Sequence, residues 1–531
     1  MTDERPLCPK CKKKKMCRDG RTPGGKQRWS CKTQTPDGTV YCYNTTDPFS
    51  PYRGESKRPK TAPKPRKAFR KTIDPRQTLV FTAAQNATPV HEAFFGALET
   101  FCKHNDAELC IIPLRYKNPT SLFSENMKDD EYWAVPHEYL YEQRKKLNDN
   151  LLVLGDVKIQ PTKVDPLTGV HGMTHGESGI FGHTKMRMKC VATPQNKMPK
   201  VLTTTGACTV ANYTDTLAGK KGDFHHVLGA VVVQIESPTK YHIHHINARK
   251  SDGAFIFKTE YYDASGVKPA PPYEAVVFGD AHYRFADPRV VEATFGKGGL
   301  VETLNPAALV WHDLLDCYFG NPHHGENPFI RKAKHDANFH IAQDEVTETV
   351  AWLQKLTGDR LSYIVPSNHD DMFARWVVRE DWKKLEPENM GFYLETALQM
   401  AKSAKMSEIG AQYLDPFQYW VNKLTGDDPR IVAMSTNEHL KIKDIECGYH
   451  GDKGPNGARG TVKNLSEIGS KVISGHGHTP EIRDGHYRTG TMTRLTAEYT
   501  HGPGSWLNTH CSIDALGKRH LHTCVDGKFF L

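Results

Sequence analysis

Five times between residues 275 and 479 a short β-forming apolar run ends abruptly on a cluster of carboxylate, amide or imidazole side chains. Ala275-Val-Val-Phe-Gly leads into Asp280-Ala-His282, and Leu309-Val-Trp-His leads into Asp313, with Asp316 three residues on. Tyr363-Ile-Val-Pro-Ser runs into Asn368-His369-Asp370. A lone imidazole follows in Cys447-Gly-Tyr-His450-Gly, and Val472-Ile-Ser-Gly closes the series with His476-Gly-His478. Buried polar groups are costly unless they are paired or coordinate an ion. Such groups, repeated after apolar runs, therefore predict strand ends converging on one site, as in open α/β sheets whose crevice lies beyond the carboxyl ends of the strands. Within Asp280-x-His282 and His476-x-His478 the period of two sets both side chains on one side of an extended chain.

The donor set has chemical meaning. Carboxylate, amide oxygen and imidazole without thiolate suit Mn²⁺, Fe²⁺ or Zn²⁺ better than Mg²⁺ alone; availability decides among them, and Mn²⁺ is the ion expected here. A carboxylate such as Asp313 can bridge two divalent ions, and the glycines around His476 let the backbone approach them closely.

This ordered series resembles the calcineurin-like metallophosphoesterase superfamily, whose pattern runs Asp-x-His, Gly-Asp-x-x-Asp, Gly-Asn-His-Asp/Glu, a lone His, then Gly-His-x-His. The resemblance implies an α/β fold, the α/β/β/α sandwich of that superfamily, over 270–531. It implies one ion held by Asp280, His282 and His478, a second held by Asn368, His450 and His476, and Asp313 shared by both. His369 would be the catalytic imidazole, oriented by Asp370. Two positions depart from the pattern: His312 and Ser367 stand where the family has glycine. Neither removes a ligand; both touch local backbone geometry. The Asp-Arg-Gly of the serine/threonine phosphatases is absent, since Asp316 is followed by Cys317-Tyr318.

Upstream, the chain has a different character. The net charge of +9 is concentrated in residues 1–76, which hold 21 Lys/Arg against 7 Asp/Glu. Residues 1–48 carry Cys8-x-x-Cys11, then Cys31 and Cys42 on either side of a Pro-Asp-Gly turn, a zinc-ribbon layout in which metal binding substitutes for a core. Cys17 is the competing ligand. The run from Gly25 to Cys31 (Gly-Lys-Gln-Arg-Trp-Ser-Cys) resembles zinc ribbons at the start of some transposase proteins. Residues 49–76 form a basic Pro-rich linker in which Lys57, Arg58, Lys60, Lys64, Arg66 and Lys67 can follow a phosphate backbone, because each neutralised phosphate releases counterions. The bland alternative is a solubilising tail.

Residues 77–265 read as an α/β domain of their own. A strand at Leu79–Thr82, a helix over 89–104 and a strand at Leu109–Leu114 make a βαβ start, with further strands at Leu151–Leu154 and Val227–Ile235. Thirteen scattered cysteines argue for reduced thiols, and neither a signal peptide nor an apolar run of membrane-spanning length is seen. The sequence thus predicts a cytoplasmic protein, in the host cytoplasm if phage-encoded, with no membrane partner; an oligomer stays open.

A basic arm beside a phosphodiester-cleaving site favours a nuclease acting on nucleic acid, DNA first. The superfamily's nucleases include repair enzymes and phage-encoded DNases that degrade host DNA, and the extra domain before the catalytic one is most similar to the phage group. The alternatives are a phosphomonoesterase or protein or nucleotide phosphatase of the same superfamily, and a nucleic-acid-binding regulatory protein with an inactive phosphoesterase domain.

Overall fold

The computed structural model describes residues 5–21, 26–35, 38–45, 78–122, 132–194, 197–497 and 500–531, with side chains omitted for 33–35 and 38–45. Two compact units result, Met1–Pro65 and Arg66–Leu531.

The first unit is a three-stranded antiparallel sheet of Cys17–Arg21, Gln27–Thr35 and Gly38–Thr45. Among its described residues the buried apolar cluster is Cys8, Met16 and Cys31, with Cys11 and Trp29 packed against it, too little to stabilise a fold by burial alone.

The second unit is mixed α/β, built on several sheets. The predicted βαβ start is present: Thr78–Gln85 and Glu108–Leu114 pair in parallel across the helix Glu92–His104. That helix buries Phe94, Phe95, Leu98 and Phe101, spaced by three and four residues as one helical face requires. Gly229–Ile235 and Tyr241–Asn247 complete this four-stranded sheet.

A six-stranded sheet runs in the order Ile431–Ala433, Leu361–Ile364, Ala308–Trp311, Ala275–Val277, Thr509–Ile513, Arg519–Thr523. Its first four strands are parallel, and the C-terminal hairpin, turning at Gly517, adds antiparallel to the strand leading to Asp280. Alternation along each strand separates two cores. Val276, Leu309 and Trp311 face helices, meeting Val346, Phe373 and Trp420. Val277 and Val310 face the other way, packing with Val201, Ile473 and Ile482 of a ten-stranded sheet.

That ten-stranded sheet joins distant parts of the chain. Met188–Val191 pairs antiparallel with Glu481–Arg483, so strands from 144–204 and from 441–488 form one continuous sheet. The buried Arg187 ties the seam, donating to the Met188 and Ile482 carbonyls at 2.7 Å each and pairing with Glu481 at 2.8 Å. The separation of 77–265 from 270–531 expected from sequence is therefore corrected: both belong to one unit, because this strand pairing crosses the expected boundary. Among the described residues no helix is long and apolar enough to cross a membrane.

Candidate metal centre

Both large sheets contribute to one polar cluster. The strands Ala275–Val277, Ala308–Trp311 and Leu361–Ile364 lead into Asp280 and His282, Asp313, and Asn368; in the ten-stranded sheet Ile445–Glu446 and Lys471–Ser474 lead into His450, His476 and His478. All seven residues singled out in the sequence come together there: six fall in two overlapping groups that share Asp313, Asn368 lies beside the second, and a further group joins His282 to Asp316 and His369.

In the first group Asp280, His282, Asp313 and His478 present their ligand atoms within 4.8 Å of one another, and all four residues are buried. His478 Nε2 stands 2.9 Å from Asp280 Oδ2 and 3.2 Å from His282 Nε2. In the second group His450 Nε2 lies 3.1 Å from Asp313 Oδ2 and 3.1 Å from Asn368 Oδ1, and His476 Nδ1 lies 3.0 Å from the same amide oxygen. Asp313 belongs to both groups.

The fit of this cluster to cations can be judged from its own atoms. Two donors bound to one ion at about 2.0–2.2 Å stand roughly 3.0–3.4 Å apart, which is the spacing found here. Asp313 Oδ1 is buried and accepts no hydrogen bond, an expensive arrangement unless a cation faces it, while Asp280 Oδ2 is buried with the His478 ring nitrogen at 2.9 Å. Burial works against their charged forms, yet the imidazoles alongside outweigh it. His478 holds the Asp280 carboxyl at about 2, and His450 and His369 keep Asp313 well below the usual carboxylate range. Reciprocally, burial disfavours imidazolium at His282 and His450, but Asp316 and Asp313 push them up to about 9. The carboxylates demand positive charge, and in the absence of an ion the imidazoles supply it.

The backbone is bent to make this possible. His282, Asp313, His476 and His478 have φ of 41°, 42°, 67° and 51°, left-handed values that cost a non-glycine residue of order 1 kcal/mol or more each. Gly475 is required for close approach: a Cβ there would stand 2.2 Å from Asp280 Oδ1, the oxygen that accepts the His476 backbone N–H at 2.9 Å. His312, where the family pattern has glycine, is fully buried with neither ring nitrogen hydrogen-bonded; burial pushes it down to about 3, so it is neutral.

The third motif is arranged differently from its sequence reading. Asn368-His369-Asp370 opens a helix, Asn368–Arg379, capped by Ser367 in a reciprocal capping box with Asp370. Asp370 Oδ2 accepts from Ser367 N at 2.9 Å, and Oδ1 has no partner. The expected orientation of His369 by Asp370 is thus corrected: the ring is held by Asp316, whose carbonyl accepts from His369 Nδ1. A carbonyl can only accept, so Nδ1 carries the proton and Nε2 is left for the cleft. The Asp316 carboxylate meanwhile lies 2.9 Å from His282 Nδ1, the second-layer partner that fixes the orientation of a ligating imidazole.

A cavity of about 600 Å³ opens beside the cluster, lined by His282, Asp316, His369 and His478 together with Arg284, Tyr318, His324, Arg494 and Trp506. The Trp506 ring packs edge-on against His478 at 4.3 Å. Arg284 is nearly buried; its guanidinium lies 4.4 Å over Phe339, Nη2 reaches Glu348 at 3.3 Å, and Nη1 has no partner. Sequence reading missed Arg284, although its place two residues after His282 was a usable signal. His324 also lines the cavity, whereas His323 and His501 are exposed. Farther along the chain's first half, His183 and His226 are buried and bond the Gln160 and Thr209 carbonyls.

In the N-terminal unit the thiols of Cys8, Cys11 and Cys31 form a second candidate group, with Cys11 Sγ and Cys31 Sγ 3.8 Å apart. Backbone N–H groups of Lys13 and Lys14 lower the Cys11 thiol to about 6, as in a metal-binding knuckle. Cys17 is exposed and outside the group. The pairing of Cys31 with Tyr43 and of Lys32 with Tyr41 leaves Cys42 as the extra residue of a β-bulge. The Cys42 side chain and the linker residues Lys57, Arg58, Lys60, Lys64, Arg66 and Lys67 lie outside the described residues.

No family model matches the chain, and no solved structure matches it. Protein A1 of Escherichia phage T5 is 27% identical over 469 residues, covering 85% of this chain and 82% of that protein.

Proposed function

We propose that this protein is a two-metal phosphodiesterase of the calcineurin-like type, a nuclease acting on DNA. The observation that carries the reading is the pair of donor groups sharing Asp313, assembled where the strand ends of two packed sheets converge. The same layering, helices on one face of the six-stranded sheet and the ten-stranded sheet on its other, supports the four-layer sandwich of that superfamily.

Asp280, His282 and His478 would hold one divalent cation and Asn368, His450 and His476 the other, with Asp313 common to both; Mn²⁺ is the ion expected here. Such a pair supplies water activation and neutralises charge on an in-line phosphoryl transition state. Around it the chain's own groups have separate tasks. His369, its Nδ1 proton fixed on the Asp316 carbonyl, would as the imidazolium present Nε2–H to protonate or charge-stabilise the departing oxygen. Arg284 lines the cleft and would bring its positive charge toward a bound phosphate. Trp506 and His478 pack together and restrict the ring of that ligand. In the N-terminal unit Cys8, Cys11, Cys31 and Cys42 would hold a structural zinc, and the basic linker would raise the local concentration of DNA. The relative is a phage protein, which is consistent with action in the host cytoplasm; degradation of host DNA there is part of this proposal.

The test is incubation of purified protein and Mn²⁺ with end-labelled single- and double-stranded DNA and RNA, alongside a chromogenic phosphodiester and a phosphomonoester. Metal-dependent cleavage of DNA and of the diester supports the reading. Turnover of the monoester alone would replace it with a phosphatase, and metal binding without any turnover would replace it with a binding protein.

A further inference from the structure

The cleft is not the only cavity at this end of the molecule. A groove of about 550 Å³ adjoins it, the two sharing Asn321 and His324 in their walls. Its lining is strongly basic: Arg331, Lys334, Arg375, Arg379 and Lys384 against two glutamates, with three histidines besides. Some of this charge has internal work, since Lys334 bonds the Tyr318 carbonyl and Arg331 lies 3.7 Å from Glu386. Arg375 and Arg379 differ. Both are exposed, and Arg375 hydrogen-bonds the backbone carbonyls of Asp371 and Asn368, with no ion pair to a carboxylate among the described residues.

Their placement follows from one helix. Asn368–Arg379 begins on a candidate metal ligand, and Met372, Arg375 and Arg379 follow it at spacings of four, three and four residues, the repeat of a single helical face. All three line the groove. At 1.5 Å per residue the stripe leads about 16 Å away from Asn368. One rigid element therefore sets a potential phosphate contact at the metal centre and two arginines along a basic path leading from it.

Resting on the phosphodiesterase reading, we propose that this groove binds the continuing strand of a nucleic acid whose scissile phosphate lies at the metal centre, Arg375 and Arg379 each neutralising a phosphate of that strand. Contacts of this kind carry no sequence information and make binding salt-dependent, with a slope of about 0.7 per phosphate for single strands. The site thereby selects a polynucleotide over a small phosphoester.

The experiment uses the full chain with Mn²⁺ and single-stranded oligonucleotides from dinucleotide to dodecamer. In the wild-type protein KM falls about tenfold or more as the strand lengthens to fill the groove, while kcat holds. The double substitution Arg375→Ala, Arg379→Ala removes that length advantage and lowers the slope of log KM against log salt by about 1.4, and Arg375→Lys, Arg379→Lys restores most of the slope. Both positions are solvent-exposed in a helix that alanine favours, so the variants fold. If the wild-type protein cleaves the chromogenic diester but shows one KM at every length, or if the double alanine variant keeps the wild-type KM and salt slope, the groove proposal falls while the phosphodiesterase reading stands. If neither diester nor oligonucleotide is cleaved, both fall together.

Discussion

Asp313 is buried with its Oδ2 3.1 Å from His450 and 3.7 Å from His282, imidazoles that arrive from opposite sheets. Its charge, more than its shape, is what such a position requires, because an isosteric amide keeps the volume but cannot balance two cations. Asp313→Asn is expected to lower bound metal from two ions per chain to one or fewer, read by elemental analysis after gel filtration; a variant retaining two ions would remove Asp313 from its shared role. His369 makes the opposite case. No metal group of the first or second set needs it, yet it lines the cleft with Nδ1 fixed by the Asp316 carbonyl. His369→Ala is expected to keep both ions and to lose about 10²- to 10⁴-fold in kcat, the range typical of a positioned proton donor. A kcat within a few-fold of wild type at full metal content would assign the ring a structural task only. These residues were readable from sequence because each sits directly after an apolar run, where chain order and period-two spacing name the side chain. The role of Asp370 was not readable: its neighbour Ser367 makes a local capping box, which competes for the carboxylate before His369 can use it.

At the scale of elements, the helix Ala342–Thr357 steadies the loop that carries Asp316. Glu345, fully buried in its first turn, accepts the backbone N–H groups of Tyr318 and Phe319 at 3.0 and 3.3 Å, just beyond Cys317 with its left-handed φ of 55°. Burial first, and the Asp316 charge second, push the Glu345 carboxyl up to about 7. The sign follows from linkage. The folded state holds a proton that the unfolded chain releases near its ordinary value of 4.5, so this group's contribution to stability is present at low pH and is lost as pH rises from about 4.5 through 7. Glu345→Gln keeps an acceptor for one N–H and removes the titration. The difference in Tm between wild type and variant is therefore expected to change by about 2 °C or more across that window and to be flat above it, measured by differential scanning fluorimetry. A difference that does not vary with pH would show that Glu345 is already ionised when folded. Nothing in the local pattern of 342–357 announces this contact, since a glutamate in the first turn of a helix ordinarily serves the helix dipole.

For the whole molecule, the sequence made the two ends of the argument visible and hid the middle. The βαβ start and the strands before each ligand follow from local apolar pattern, but the pairing of Ile482 with Met188 spans almost three hundred residues and has no local signature, so one unit was read as two domains. That same long-range architecture gives the metal centre a structural consequence. Asp280, His282, Asp313 and Asn368 come from the six-stranded sheet and its connections, His450, His476 and His478 from the ten-stranded one, so ions held there would cross-link the two sheets. An ion held only by the folded state stabilises it by about 2.7 kcal/mol at a hundredfold excess over Kd. Without ions, Asp316 and Asp313 are balanced by protonated His282 and His450, whose values near 9 exceed the ordinary 6.5. Stability from those imidazoles is complete below about 6.5 and lost as pH rises through 9. Cations compete with those same protons, so their hold strengthens over the window in which imidazolium fails. The chelator-treated protein is therefore expected to lose Tm steadily between pH 6.5 and 9, whereas the Mn²⁺-loaded protein holds its Tm and the gap between them widens with pH. Parallel melting curves for the two forms would mean that the buried carboxylates are balanced by something other than cations shared with these imidazoles.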